Sequence, residues 1–123
     1  PYKENAAIPA WKFDVLKWAG AYYSTSDDLA KYLNQFVTKT PILSFTVLEK
    51  LRQITFEANK NMRMSLGWHI TPLNNTTVYW HNGNTYGNSA FIGYTTDGKF
   101  VSVLSNSNRI LDNFSVDLLS NMK

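Results

Sequence analysis

The residues best able to do chemistry lie in one short run, His81-Asn82-Gly83-Asn84. Histidine side chains are mostly neutral at pH 7, so His81 is first a hydrogen-bond partner, and it stabilises an anion only when protonated. The Asn82 amide can donate and accept hydrogen bonds, whereas Gly83 leaves open space beside the chain. On their own, these letters favour a surface histidine followed by an ordinary Asn-Gly-Asn turn.

Few other groups suggest a reaction centre. The chain has no cysteine, which excludes disulfides, thiolate metal sites and a cysteine nucleophile. No cluster of histidines and carboxylates has metal-ligand spacing in the sequence, so we expect neither a metal nor another cofactor. Alternation along a strand places His69 on the face opposite its neighbour, which favours a packing role. We interpret the four tryptophans as core residues: Trp11, Trp18, Trp68 and Trp80.

The composition is that of one folded domain, which we place at residues 1–123. Apolar residues make up 44% and aromatic residues 15%, and a chain of this size buries roughly two-thirds of its unfolded surface. The net charge of +3 comes from scattered lysines and arginines, so nucleic acid is not an expected partner. No stretch approaches the ~20 apolar residues of a membrane span. The first residues do not form a signal peptide, and we expect any export signal to lie upstream.

The first helix signal follows a segment without a clear period. We expect the approach from Pro1 to Trp18 to be ordered but irregular. Thr25 or Ser26 can then cap a helix with two aspartates in its first turn, where a negative charge favours the helix dipole. Apolar residues at helical spacing predict that this helix runs from about Ser26 to Val37.

Two further helices are indicated. Ser44 can cap the first of them. Its core-facing residues are expected to be Val47, Leu48, Leu51 and Ile54. Apolar residues between Ile110 and Leu119 predict a closing helix at the end of the chain.

Beyond Met62 the apolar period changes to two, which is typical of strands. Turn signals separate four expected strands, Met64–Thr71, Thr76–His81, Asn88–Tyr94 and Lys99–Leu104. The polar segment Glu57–Asn61 is expected to be a loop. The sequence therefore predicts an α+β fold, with an antiparallel sheet of about four strands and helices packed on one face.

Four segments in order carry a family resemblance. Ala19–Leu33 resembles a helix start of the form A-G-G-hydrophobic-x-S-T-x-x-D-L-A, and Ser65-Leu66-Gly67-Trp68 resembles a G-x-G-W strand with serine in place of the first glycine. His81-Asn82-Gly83, followed by Gly87, resembles a Lys-Thr-Gly or His-x-Gly motif, and Val101–Asn106 resembles a V-V-V-L-[ST]-N strand. The whole chain is similar to the C-terminal part of class C β-lactamase-like, penicillin-binding serine hydrolases, a family of β-lactamases, D,D-peptidases and esterases.

The resemblance implies an acyl-enzyme mechanism and a role for each residue of the run. His81 would point into the pocket and help to position the substrate, and Asn82 would replace the usual threonine or serine. Gly83 would let the acyl group pass along the strand. The backbone N–H of Asn84 would be the second oxyanion-hole donor, so His81 and Asn84 are the expected catalytic residues and Asn82 and Gly83 the substrate-binding ones.

The resemblance also implies that the chain is incomplete as a catalyst. The family's Ser-x-x-Lys and Tyr-x-Asn motifs would lie upstream of Pro1, and we expect this chain to lack the Ser-x-x-Lys nucleophile. Tyr32-Leu33-Asn34 matches Tyr-x-Asn by letters but falls inside a predicted helix. The isolated chain is therefore expected to be inert. Its implied partners are the missing N-terminal half and a β-lactam or peptidoglycan-type peptide or ester, in a periplasmic or extracytoplasmic, bacterial setting.

Two other interpretations remain open at this point. The chain could be a non-catalytic binding or interaction module that keeps the β-lactamase-like sheet without the chemistry. It could also be a half-domain that forms a homo-oligomer, because removal of the N-terminal half should uncover apolar surface.

Overall fold

The computed structural model describes residues 1–15, 17–38, 42–59, 62–73 and 75–123. The elements of its first half are strands β1 (Tyr2–Lys3) and β2 (Ala6–Ala7) and helices α1 (Lys17–Gly20), α2 (Ser26–Val37) and α3 (Phe45–Arg52). The second half contains strands β3 (Phe56–Asn59), β4 (Met62–Met64), β5 (His69–Leu73), β6 (Thr76–Asn84), β7 (Ser89–Thr95) and β8 (Phe100–Ser105), and helix α4 (Asp112–Asn121).

Helix α2 forms where the capping residues predict it. The side chain of Thr25 accepts a hydrogen bond from the backbone N–H of Asp28 at 3.2 Å, which satisfies one of the free donors of the first turn. Leu33 and Phe36 are buried in the core. The predicted bounds of this helix are confirmed.

Helix α3 is also capped as expected, because the hydroxyl of Ser44 accepts from the backbone N–H of Val47 at 3.4 Å. Leu48 is buried and Leu51 is half-buried, as predicted. Val47 and Ile54 are 42% and 45% exposed, so the prediction that they face the core is wrong. A helix of eight residues presents one narrow face to the sheet, and Leu48 and Leu51 already occupy it, whereas Ile54 lies beyond the C-terminal end of the helix.

The main sheet has six antiparallel strands in the order β3-β4-β5-β6-β7-β8, and β1 and β2 form a separate hairpin within the segment expected to be irregular. The expected strand Met64–Thr71 is interrupted by a turn, in which Ser65 N donates to Trp68 O at 2.8 Å and Gly67 has a φ of +82°. This left-handed conformation ends a strand and suits glycine.

The loop predicted at Glu57–Asn61 is wrong for its first part. Glu57 belongs to β3, which pairs with β4 and adds an ion pair between Glu57 and Arg63 at 3.3 Å. A polar segment becomes a strand here because the neighbouring strand satisfies its backbone groups. Residue 61 lies outside the described residues.

The sheet carries helices on both faces. On one face, α2 and α3 pack on Tyr79 and Tyr94, with Phe36 stacked on Tyr94 at 4.9 Å between ring centres. On the other, Leu119 of α4 packs against Val78 and Phe91. The α+β class and the antiparallel sheet are confirmed, while the sheet has six strands rather than about four and α4 covers the face opposite α2 and α3.

The tryptophans divide between core and surface. Trp68 is buried among Phe36 and Tyr94, and Trp80 is half-buried. Trp11 and Trp18 are exposed, so the interpretation of all four as core residues is wrong for these two. Both lie in the stretch before α2, where the described part of the chain provides no element that covers them.

Candidate functional site

The second half of β6 has an unpaired edge. Strand β5 pairs with β6 only as far as the His69–Trp80 pair, whereas β7 pairs with β6 as far as the Asn84–Ser89 pair. Among the strands that the structure describes, residues 81–84 therefore have a neighbour on one side only. All four site residues expected from the sequence lie on this stretch.

Alternation determines which backbone groups face the unpaired edge. Successive residues of an antiparallel strand direct their N–H and C=O groups to opposite sides. Thr85 N donates to Asn88 O at 2.9 Å, so odd-numbered residues here bond toward β7. It follows that the N–H and C=O groups of Asn82 and Asn84 face the unpaired edge.

The ring of His81 lies along this edge. Its Nδ1 atom is 2.7 Å from the backbone oxygen of Asn82. A carbonyl oxygen only accepts hydrogen bonds, so Nδ1 carries the proton, and Nε2 of the neutral ring is an acceptor. The side chain is exposed, and its ring centre is 5.4 Å from that of His69. The exposed ring can therefore offer Nε2 to a group that approaches the edge.

The side chain of Asn82 is bonded within the protein. Its Nδ2 atom donates to the two carboxylate oxygens of Asp112 at 3.0 and 2.9 Å. Asp112 is the first residue of α4, so this contact joins the start of the last helix to β6. The amide nitrogen of Asn82 is thus engaged before any substrate arrives. The groups of Asn82 that remain are Oδ1 and the backbone N–H.

Gly83 and Asn84 complete the edge. A Cβ atom added at Gly83 would meet no heavy atom within 4 Å, so the space beside it is open. The Oδ1 atom of Asn84 accepts a hydrogen bond from the Ser89 hydroxyl at 2.8 Å. This bond holds the Asn84 side chain to β7, while the Asn84 N–H points the other way.

A pocket of about 320 Å³ opens beside the edge. His81 and Asn82 form part of its wall. Its other lining residues, apart from a glycine, are aromatic or aliphatic: Tyr32, Phe36, Leu51, Leu66, Trp68 and Ile92. Such a lining suits the apolar part of a ligand whose polar end meets the β6 edge.

His69 supports the edge from the neighbouring strand. Its ring stacks on Trp80 at 4.6 Å between ring centres, in agreement with the predicted packing role. Burial, and then the nearby ring of His81, lower the pKa of His69 below its ordinary value of 6.5, although Asp112 acts in the opposite sense. His69 is therefore neutral at pH 7.

The Tyr32-Leu33-Asn34 match is part of a helix, as predicted. All three residues belong to α2, and Leu33 is fully buried in the core. Its Tyr-x-Asn letters thus arise from a helix whose apolar side packs on the sheet.

Ser120-Asn121-Met122-Lys123 matches Ser-x-x-Lys by letters, so the expectation that the chain lacks this pattern is wrong in its literal form. The geometry does not suit a nucleophile. The Ser120 hydroxyl donates to the backbone oxygen of Asp117 at 2.8 Å, and α4 ends at Asn121, so Lys123 is not one helical turn beyond the serine. Ser120 lies beside Thr76, at the start of β6, and Asn84 is roughly 25 Å away at its other end.

Sequence reasoning missed a second Tyr-x-Asn match, Tyr86-Gly87-Asn88, although its position just after the site motif is a signal that could have found it. The Tyr86 hydroxyl accepts a hydrogen bond from Lys3 Nζ at 2.7 Å. This hydrogen bond raises the pKa of Lys3. Asn88 donates from its side chain to the Thr85 hydroxyl at 3.3 Å. Both side chains thus brace the loop after β6, and Tyr86 is tied to the N-terminal hairpin.

The described ranges contain neither a metal-binding cluster nor a helix that could cross a membrane. No group of three or more histidine, aspartate or glutamate side chains there could hold a metal ion. Within the same ranges, no helix has the length and apolar character that a membrane crossing requires.

Comparison with known families identifies the class of this domain. The chain matches the family model described as Beta-lactamase over residues 2–119. It therefore belongs to the beta-lactamase family, and its function is, in general terms, serine-hydrolase-like. No curated protein and no solved structure matched the chain.

Proposed function

We propose that the chain is the C-terminal part of a serine acyl hydrolase of the class C type, and that it supplies one wall of the active site. The nucleophile and its base come from a Ser-x-x-Lys motif in another segment of the protein. The reaction class is acyl transfer to serine followed by hydrolysis, as in the cleavage of β-lactams or of peptidoglycan-type peptides and esters. The expected setting is the bacterial periplasm or the cell exterior.

The observation that carries this proposal is the direction of the Asn84 N–H. It faces an unpaired strand edge next to Gly83, where no side chain blocks the approach of an acyl group. A fixed N–H donor on a rigid strand stabilises the oxyanion that develops in acyl transfer and needs no rearrangement to do so. The second donor would be the N–H of the nucleophilic serine.

His81 has a supporting role in this proposal. Its Nδ1–H bond to the Asn82 oxygen fixes the orientation of the ring, because the ring cannot turn without breaking a 2.7 Å hydrogen bond. Nε2 can then accept a proton or a hydrogen bond from a group near the scissile carbonyl. His81 thus belongs to the proton network around the serine, while the serine forms the bond to the acyl group and its lysine accepts the serine proton.

The N-terminal half of the domain is the proposed partner of the exposed aromatic segment. In this segment, which comprises residues 11–15 and 17–23, the side chains of Val15, Trp18, Tyr22 and Tyr23 are largely exposed. An apolar stretch of this kind on a family domain is best explained by a surface that another part of the protein covers.

Substitution of Asn84 tests the oxyanion role directly. Proline lacks an N–H, and it is tolerated at strand positions where that N–H faces away from the neighbouring strand. In the full-length protein, Asn84→Pro should lower kcat/KM for a neutral p-nitrophenyl ester by about 10²–10³-fold. Asn84→Ala is the matched control, since it also removes the Ser89 contact but keeps the N–H. Equal activities of these two variants would contradict the proposal.

A labelling experiment tests the need for a second segment. Neither a fluorescent penicillin nor a fluorophosphonate probe should label the 123-residue chain. The Ser120 hydroxyl donates a hydrogen bond to the backbone oxygen of Asp117, and no lysine lies one helical turn away to act as its base. The full-length protein should be labelled by the fluorophosphonate. Labelling of Ser120 in the short chain would show that the nucleophile lies within it.

A binding module without catalysis is the second candidate. The observation that favours it is the engagement of the Asn82 amide nitrogen by Asp112, which removes a side-chain donor from the expected substrate wall. A full-length protein that binds acyl compounds but remains unlabelled by the fluorophosphonate would support this candidate over the enzyme.

A further inference from the structure

We infer that Asn82 is a deamidation site, and that Asp112 holds its side chain in a position that prevents the reaction while the protein is folded. The inference does not depend on the proposed function, because it concerns a reaction of the chain with itself and with water. It gives the contact between β6 and α4 a protective role.

The sequence places the reactive pair in the middle of the candidate site. Asn82 is the one asparagine of the sequence that precedes a glycine. Asparagine is among the chemically labile residues, and the backbone nitrogen of the next residue is the group that attacks its amide. Glycine leaves this nitrogen accessible, because it has no Cβ atom. Gly83 is exposed, and a Cβ built on it would meet no heavy atom within 4 Å.

The reaction needs no reagent other than water. The Gly83 nitrogen gives its proton to water and attacks Cγ of Asn82, so that a new C–N bond closes a five-membered imide. The bond between Cγ and Nδ2 breaks, and Nδ2 takes up a proton and leaves as ammonia. Water then opens the imide at either of its two carbonyls, which gives aspartate or isoaspartate at position 82.

The folded chain keeps the two reacting atoms apart. Odd-numbered residues at this end of β6 bond toward β7, so the Gly83 N–H faces its paired residue Ala90. The Asn82 side chain instead lies on the face of the sheet that carries α4, where it contacts Asp112. The side chain must turn, and the strand must leave its extended pairing, before the Gly83 nitrogen can reach Cγ.

Asp112 opposes the turn of the side chain. Both of its carboxyl oxygens accept from Asn82 Nδ2, at 3.0 and 2.9 Å, and the two residues are half-buried. Rotation of the amide breaks both contacts at once. Because Asp112 is the first residue of α4, the acceptor is fixed by a helix that packs on the same sheet. Asn82 is therefore held by tertiary structure, and the protection ends when this contact opens.

The product would damage the edge of β6. An aspartate at position 82 has no N–H to donate to Asp112, so the link between β6 and α4 is lost. An isoaspartate also adds a methylene group to the backbone, which displaces Gly83 and Asn84 from their pairing with β7. Each opening of the contact thus risks an irreversible change in the candidate site.

The test measures deamidation site by site in the full-length protein. The protein is kept in mildly alkaline buffer and digested, and fragment masses give the rates of conversion at Asn82 and at Asn88. Asn88 is the internal reference, because it precedes a serine on the same loop and its side chain donates to Thr85 rather than to α4. Asp112→Ala should raise the rate at Asn82 about threefold or more and leave the rate at Asn88 unchanged.

Asp117→Ala is the matched control, because it removes a carboxyl group from an exposed position of the same helix. It should leave both rates unchanged. An unchanged rate at Asn82 in Asp112→Ala, or an equal rise at Asn82 and Asn88, would overturn the inference.

A comparison within the wild-type protein does not depend on the folding of any variant. Unfolding in urea should raise the rate at Asn82 by about tenfold or more, because the contact with Asp112 and the pairing with β7 are then both absent. Equal rates at Asn82 in the folded and unfolded protein would also overturn the inference.

Discussion

Gly87 lies so close to Ile8 that a Cβ atom built on the glycine would be 2.5 Å from Cδ1 of the isoleucine and 2.7 Å from Cβ of Pro1. The contact joins the loop after β6 to the N-terminal hairpin. Tyr2 N also donates to Gly87 O at 3.2 Å, and Lys3 donates to Tyr86. The loop that follows the candidate site is therefore held in place by residues more than 75 positions away in the sequence.

A methyl group at Gly87 should disturb this junction. We expect Gly87→Ala to lower the free energy of unfolding by about 1–3 kcal/mol, because the added Cβ must displace Ile8 and Pro1. Gly83→Ala, near the end of β6, is the matched control, because a Cβ there meets nothing within 4 Å, and it should change stability by less than about 1 kcal/mol. Urea unfolding measures both. Similar losses in the two variants would show that the hairpin is not docked on Gly87.

The half-buried ring of His69 predicts a dependence of stability on pH. Because folding lowers the pKa of His69 below its ordinary value of 6.5, the unfolded chain binds a proton more readily between the two pKa values. The free energy of unfolding contributed by His69 should therefore fall as the pH drops through about 6.5, and level off below the pKa of the folded state.

The predicted fall in unfolding free energy at lower pH can be checked with the variant His69→Gln. The difference in unfolding free energy between pH 7.5 and pH 5.5 should be smaller in the variant than in the wild-type chain, since glutamine does not titrate. Groups that do not interact with His69 contribute equally to the two proteins and cancel in the comparison. A larger pH dependence in the variant would mean that the protonated form of His69 is the one favoured by folding.

The exposed aromatic segment predicts self-association of the isolated chain. Trp18 is 78% exposed and Tyr23 is 87% exposed, and exposed aromatic surface favours association when its partner is absent. Light scattering should show an average mass that rises with concentration. The double variant Trp18→Ser, Tyr23→Ser should reduce this rise, whereas Ile42→Ser, at a residue that is 88% exposed elsewhere, should not. A monomer mass that does not change with concentration would show that the exposed aromatic segment does not drive self-association.

Local signals in the sequence were enough for the parts of the fold that local interactions decide. Thr25 and Ser44 cap the first two long helices because a side-chain oxygen and a free N–H lie three residues apart along the chain. The alternating pattern also located β6, β7 and β8 within one to three residues. Glu57 shows the limit of such signals, since its strand exists only because Arg63 and its neighbours pair with it.

The candidate site shows the same division. The sequence by itself determined that His81, Asn82, Gly83 and Asn84 form one run at the end of a strand, because four consecutive residues cannot be separated. Only the tertiary structure decided that β5 begins at His69, opposite Trp80, and so leaves this run with an open edge. Likewise, it alone placed Asp112, 30 positions away, against the Asn82 amide. Strand pairing and helix docking depend on which distant segments satisfy each other's backbone and charged groups, and no local pattern encodes that choice.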